Sequence, residues 1–103
     1  MNLTADTSLI GFEPSSRVVA KSNVMFCKMA EGAALLDMNS NIYYGVNATG
    51  AHIWNLIQES RSVSELRDAV CDMYDIDTAR CSTDLNDLLA HLCEAGLVTV
   101  SDD

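Results

Sequence analysis

The chain has 103 residues, 49% of them apolar, which is enough for one core and not for two. Fifteen acidic against six basic residues leave a net charge of −9, a balance that repels the phosphates of nucleic acid and suits a basic or neutral partner. No apolar run reaches bilayer length, and no basic stretch followed by an apolar segment opens the chain, so the reading is a cytoplasmic protein without a membrane span or secretory signal.

Residues 1–16 are small and polar and hold the only proline, Pro14. They read as a flexible tail in which Leu9, Ile10 and Phe12 pack only locally. Arg17 to Lys21 is expected to extend into a short strand. Val24 to Met29 and Ala33 to Asp37 are β-rich and separated by Ala30-Glu31-Gly32, a tight hairpin in which Gly32 is free to take a positive φ. Met38 to Asn41 supplies a serine and two asparagines for a second turn, and Ile42 to Val46 follows as the next strand.

The apolar period then changes. Ile53, Trp54 and Ile57 recur at helical spacing, so Ala48 to Glu59 reads as a helix with Asn47 as N-cap and Trp54 in the core. Ser62-Val63-Ser64-Glu65 is a capping box opening a second helix, whose stripe is Leu66, Ala69, Val70, Met73 and Tyr74. A third helix runs from Thr78 to Ala95 with Cys81, Leu85, Leu88, Leu89 and Leu92 on one face and Asp84, Asp87 and Glu94 mainly elsewhere. Gly96 closes it as a left-handed cap with Leu97 packing back, and Leu97 to Val100 adds a terminal strand before the acidic tail 101–103. The predicted fold is α+β and winged helix-turn-helix-like: a three-stranded antiparallel meander, three helices and a short C-terminal strand, in one domain over 17–100.

Catalytic signatures are missing from this order. His52 and His91 sit on helices between apolar positions, and the glycines form no phosphate-binding pattern. Asp75 and Asp77 suit a helix end. The four cysteines lie within periodic apolar segments without a Cys-x-x-Cys pair, so they read as reduced thiols packed as small hydrophobes, with no metal and no cofactor. A Cys-His nucleophile made of spatial neighbours stays open as a rival, but the expectation is a protein that is not an enzyme.

Glu31-Gly32-Ala33-Ala34-Leu35-Leu36-Asp37, Asn41-Ile42-Tyr43-Tyr44-Gly45-Val46-Asn47 and Thr49-Gly50-Ala51-His52-Ile53-Trp54 stand in the order and at the spacing of the PqqD-like family, which this chain resembles. Val63 and Leu66, Met73-Tyr74-Asp75, Asp84-Leu85 and Ala95-Gly96-Leu97-Val98 extend the resemblance over Val24 to Val100. Val46 replaces a commoner leucine, and Ser40-Asn41 replaces a turn that is often Gly-Arg, which leaves the approach to the following strand less typical.

The resemblance implies a recognition element for ribosomally made, modified peptides, which binds a precursor's leader segment and presents its core to partner enzymes. The form is similar to the leader-binding B protein of lasso-peptide pathways, whose partners are a leader peptidase and a cyclase. It is also similar to the chaperone that presents a precursor to a radical-SAM enzyme in pyrroloquinoline quinone synthesis. In that family the leader adds as a strand beside the third helix. The implied peptide-binding residues here are Asn41, Ile42, Tyr43, Tyr44, Gly45 and Val46 on the edge strand, with Asp84, Leu85, Asp87, Leu88 and Leu92 on the helix. Strand alternation puts Ile42, Tyr44 and Val46 on one face and Tyr43 and Gly45 on the other. A monomer or weak homodimer is expected, and no nucleic-acid or membrane partner. A winged-helix transcription regulator shares the shape but would turn Asp84, Asp87 and Glu94 toward phosphates.

Overall fold

The computed structural model describes residues 13–74 and 77–101. Leu9, Ile10, Phe12, Asp75 and the last two acidic residues lie outside them, as does the side chain of Tyr74. The elements in chain order are β1 (Arg17–Ala20), β2 (Val24–Met29), β3 (Gly32–Asp37), β4 (Ile42–Val46), α1 (Ala48–Leu56), β5 (Arg61–Ser62), α2 (Val63–Tyr74), α3 (Thr78–Glu94) and β6 (Val98–Ser101).

The expected meander is present: β2, β3 and β4 pair antiparallel in sequence order, leaving β4 on the edge. Gly32, at φ 113°, begins β3 hard against the end of β4, where a Cβ would collide with the carbonyl oxygen of Val46. Asp37 organises the next turn. One of its oxygens accepts from the Asn39 amide at 2.9 Å and the Asn23 side chain at 3.0 Å, while Asn41 takes the left-handed conformation at φ 64°. These bonds, the Asn39 amide foremost, hold the Asp37 carboxyl below its ordinary pKa.

The first and last strands join a short strand between α1 and α2 in a second sheet, in the order β5-β1-β6, for which the sequence reading named no pairing. Its two-residue strand β5 was not expected, because two residues carry no periodic signal. Residues 13–16, read as the end of a loose tail, are tied to the start of α2. The amides of Val63 and Ser64 donate to the carbonyls of Ser16 and Pro14 at 2.8 and 3.1 Å, and Ser16 is buried.

The helices begin and end where their caps are. Asn47 accepts from the Gly50 amide and Asp77 from the Arg80 amide. The Ser62–Glu65 box closes in both directions at 2.8 and 3.1 Å, lowering the Glu65 pKa chiefly through the Ser62 amide. After α3, Gly96 at φ 74° lets its own amide reach Cys93 O and the Leu97 amide reach Leu92 O, a complete Schellman motif. The first helix stops at Leu56, short of the expected Glu59.

The core joins all three helices to both sheets: Ile53, Trp54 and Ile57 from α1, Leu66 and Val70 from α2, Leu85, Leu89 and Leu92 from α3, with Val18, Leu35 and Leu97. Each such aliphatic side chain contributes about 1.5–3 kcal/mol by leaving water. The stripe of α2 ends at Val70; Met73 is exposed, because the helix has by then run past the core. One cysteine expectation is overturned. Cys71 and Cys81 form a disulfide between α2 and α3, their Cα atoms 5.9 Å apart. Two periodic helical positions became partners because a short connection folds one helix end back on the other. Cys27 and Cys93 are free, and partial burial raises the Cys93 thiol pKa.

Candidate functional site

Among the described residues β4 has a strand neighbour on one side only, β3. The direction of its main-chain groups follows from the ladder. Met38 N–H donates to Asn23 O at 2.9 Å, in register with the Met25–Leu36, Cys27–Ala34 and Met29–Gly32 pairs. In an antiparallel ladder successive residues bond to opposite sides, so the even-numbered residues of β3 face β2 and Ala33, Leu35 and Asp37 face β4. Their partners are Val46, Tyr44 and Ile42. The amides and carbonyls of Tyr43 and Gly45 therefore point away from the sheet.

The side-chain faces follow from the same register. Tyr44 lies beside fully buried Leu35 and packs on the core with Val46, while Tyr43 is 63% exposed on the opposite face. Gly45 has no atom within 4 Å of where a Cβ would stand, so open space and not backbone strain surrounds it. Gly50 is different: its missing Cβ lets α1 approach the Val46 side chain closely.

A groove of about 1330 Å³ lies along this strand, with α3 as its opposite wall. Nine of the expected residues line it: Tyr43, Tyr44, Gly45 and Val46 from β4, and Asp84, Leu85, Asp87, Leu88 and Leu92 from α3. Asn41 and Ile42 do not; they sit at the turn, before the strand draws level with the helix. Leu85 and Leu92 are 2% and 4% exposed, so they form a floor that also belongs to the core, whereas Leu88 is half-buried. Asp84 and Asp87 are exposed on the rim. Asp84 is not a free carboxylate, because Arg80 one turn earlier stands 3.7 Å from it.

Other lining residues escaped the sequence reading. Asn47, Thr49 and Gly50 bring the start of α1 to the groove, Val70 comes from α2, and Arg80, His91, Glu94, Ala95 and Leu97 extend the α3 side. Part of this was legible: Asp84, Leu88, His91 and Ala95 follow one helical stripe. Val70 carried no such signal, since only the meeting of α2 with α3 brings it there. Among the described residues no group of three or more metal-ligating side chains occurs, and no helix is long and apolar enough to cross a membrane.

Three solved structures share this architecture. TbiB1 in complex with the TbiA(beta) leader peptide superposes with a TM-score of 0.70 at 29% identity, covering 78% of this chain and 93% of that one. A lasso peptide synthetase B1 complexed with the leader peptide gives 0.69 at 21% identity, covering 80% and 96%. The PqqD truncation of Methylobacterium extorquens PqqCD, a stand-alone recognition element for ribosomally synthesised and post-translationally modified peptides, gives 0.73 at 17% identity, covering 90% and 98%. No curated protein sequence matches. The family model for coenzyme PQQ synthesis protein D matches residues 32–98, from the start of β3 into β6 and so through both walls of the groove. The chain belongs to the PqqD family.

Proposed function

We propose that this protein is a non-catalytic recognition element that captures the leader segment of a ribosomally made precursor peptide and presents the rest to modifying enzymes in the cytoplasm. The observation that carries the reading is the edge of β4, unpaired among the described residues, beside an apolar-floored groove. Strand addition supplies affinity through main-chain bonds, and adjoining pockets select side chains. The outward groups of Tyr43 and Gly45 offer up to four such bonds. Leu85, Leu88 and Leu92 offer an apolar bed, and Asp84 and Asp87 favour a leader with basic residues. Two structures of the same fold hold leader peptides. The sequence resemblance to the leader-binding B proteins of lasso-peptide pathways favours that type of pathway, with a leader peptidase and a cyclase as partners.

The test uses a fluorescein-labelled leader from the precursor encoded beside this chain, titrated by anisotropy, with amide exchange on the bound complex. Saturable binding with protection at Tyr43, Gly45 and α3 is the expected result. Binding that leaves β4 unprotected would remove strand addition; no binding at all would remove the function. Modification of the precursor by a radical-SAM enzyme, in place of cleavage and cyclisation, would move the protein to the pyrroloquinoline-quinone type of pathway.

A further inference from the structure

The Cys71–Cys81 bond stands at one end of the groove. Cys71 follows the groove residue Val70 near the end of α2; Cys81 follows the groove residue Arg80 near the start of α3. The Cα separation of 5.9 Å lies in the range a disulfide bridges without moving the backbone. Burial distinguishes the two sulfurs. Cys81 is fully buried in the core, while Cys71 is half-buried at its margin, so a small thiol or disulfide in solution reaches Cys71 first. The core draws on every helix and both sheets. The bond is an addition to a fold already held by packing, which is what allows it to open without unfolding the chain.

We propose that Cys71 and Cys81 are a reversible thiol–disulfide pair that sets the grip of the groove; the inference rests on the peptide-binding reading above. The oxidant is a low-molecular-weight disulfide such as oxidised glutathione. The Cys71 thiolate attacks it, a glutathione thiolate leaves and takes up a proton, and a mixed disulfide remains. The Cys81 thiolate then attacks the Cys71 sulfur and expels the second glutathione. Two protein thiols and one oxidised glutathione become one protein disulfide and two reduced glutathiones. Excess reduced glutathione runs the sequence backwards.

The groove responds because its wall starts at this joint. Asp84 and Leu85 lie about one turn beyond Cys81, and Leu88 one turn further. With the bond closed, the first turns of α3 cannot part from α2. With it open, side-chain packing alone holds them, and that wall samples wider separations from β4. A cytoplasmic disulfide is more often transient and sensing than permanent, which gives such a pair a use: leader capture follows the thiol balance of the cell.

The full chain and its Cys71→Ser and Cys81→Ala variants are equilibrated in glutathione buffers of rising oxidised-to-reduced ratio. Intact mass reports the loss of the two thiol hydrogens, amide exchange over residues 79–90 reports α3, and anisotropy of the labelled leader reports the groove. In the wild type the bond should form and reverse with the ratio. Alongside it, α3 exchange should slow and leader affinity rise by roughly fivefold, the lower end of ordinary coupling between sites; neither variant should respond. A bond that never forms, or that survives excess reduced glutathione, overturns the proposal. So does a reversible bond that leaves α3 exchange and leader affinity unchanged. If the leader binds in neither state the peptide-binding reading fails instead, and the α3 exchange then decides the switch alone.

Discussion

The two walls of the groove are built from different chemistry. On β4 the useful groups are main-chain amides and carbonyls at Tyr43 and Gly45, which any extended peptide can meet. On α3 they are side chains: a leucine floor shared with the core and carboxylates on the rim. In the proposed strand-addition mode, one wall would supply affinity with little regard to sequence and the other selection. The walls also differ in their tolerance of change. Among the described residues β4 pairs on one side only, whereas Leu85 and Leu92 serve the fold and line the groove at once.

The strongest way to break this contrast is to attack groups with double duty. Leu85→Ala should cost about 2–5 kcal/mol of stability through the cavity it leaves, read as a lower urea midpoint, and peptide binding should fall with it. Tyr44→Pro should also unfold the chain, because the Tyr44 amide faces β3; its loss is on the order of 3 kcal/mol with the displaced ring. Gly45→Pro is the sharper experiment. Its amide faces outward, so the melting temperature should barely move. Leader affinity should fall roughly fivefold or more, from the one lost amide bond worth about 1 kcal/mol and the clash of the proline ring with an added strand. Equal losses of stability and affinity at Gly45 would show that the edge has no special role.

A smaller effect belongs to the rim. Reversing Asp84 and Asp87 to lysine should weaken a basic leader by about three- to tenfold at low salt, fading as salt is added. Arg80→Ala should act in the opposite sense by freeing Asp84 from its neighbour. Titrations at two ionic strengths separate these outcomes. The smallest effect is on stability against pH. Asp37 and Glu65 have folded pKa values below their ordinary ones, so their contribution is complete above the unfolded values and disappears as pH falls through the folded ones. Urea midpoints should drop over that acid window, and Asp37→Asn or Glu65→Gln should flatten the fall without touching leader affinity at neutral pH.

Much of this was legible in the residues. Capping by Asn47, Ser62 with Glu65, and Gly96 depends on neighbours within a few positions, and all three caps are in place. The β-rich runs and their turns announced the meander for the same reason. Leu85, Leu88 and Leu92 of α3 line the groove, but periodicity does not separate a floor residue from a contact residue, and Leu85 and Leu92 are nearly inaccessible. The Arg80–Asp84 pair was legible as a spacing and was passed over.

What the sequence by itself determined is local: strands, helices, their caps, and an excess of acidic over basic residues. Only tertiary structure decided that β1 pairs with β5 and β6 in a second sheet, that Cys71 meets Cys81, and that Val70 and the start of α1 complete a groove whose walls are β4 and α3. Periodicity encodes which face of an element is buried. It does not encode which distant element covers that face, because that choice is made by the packing of the whole core at once.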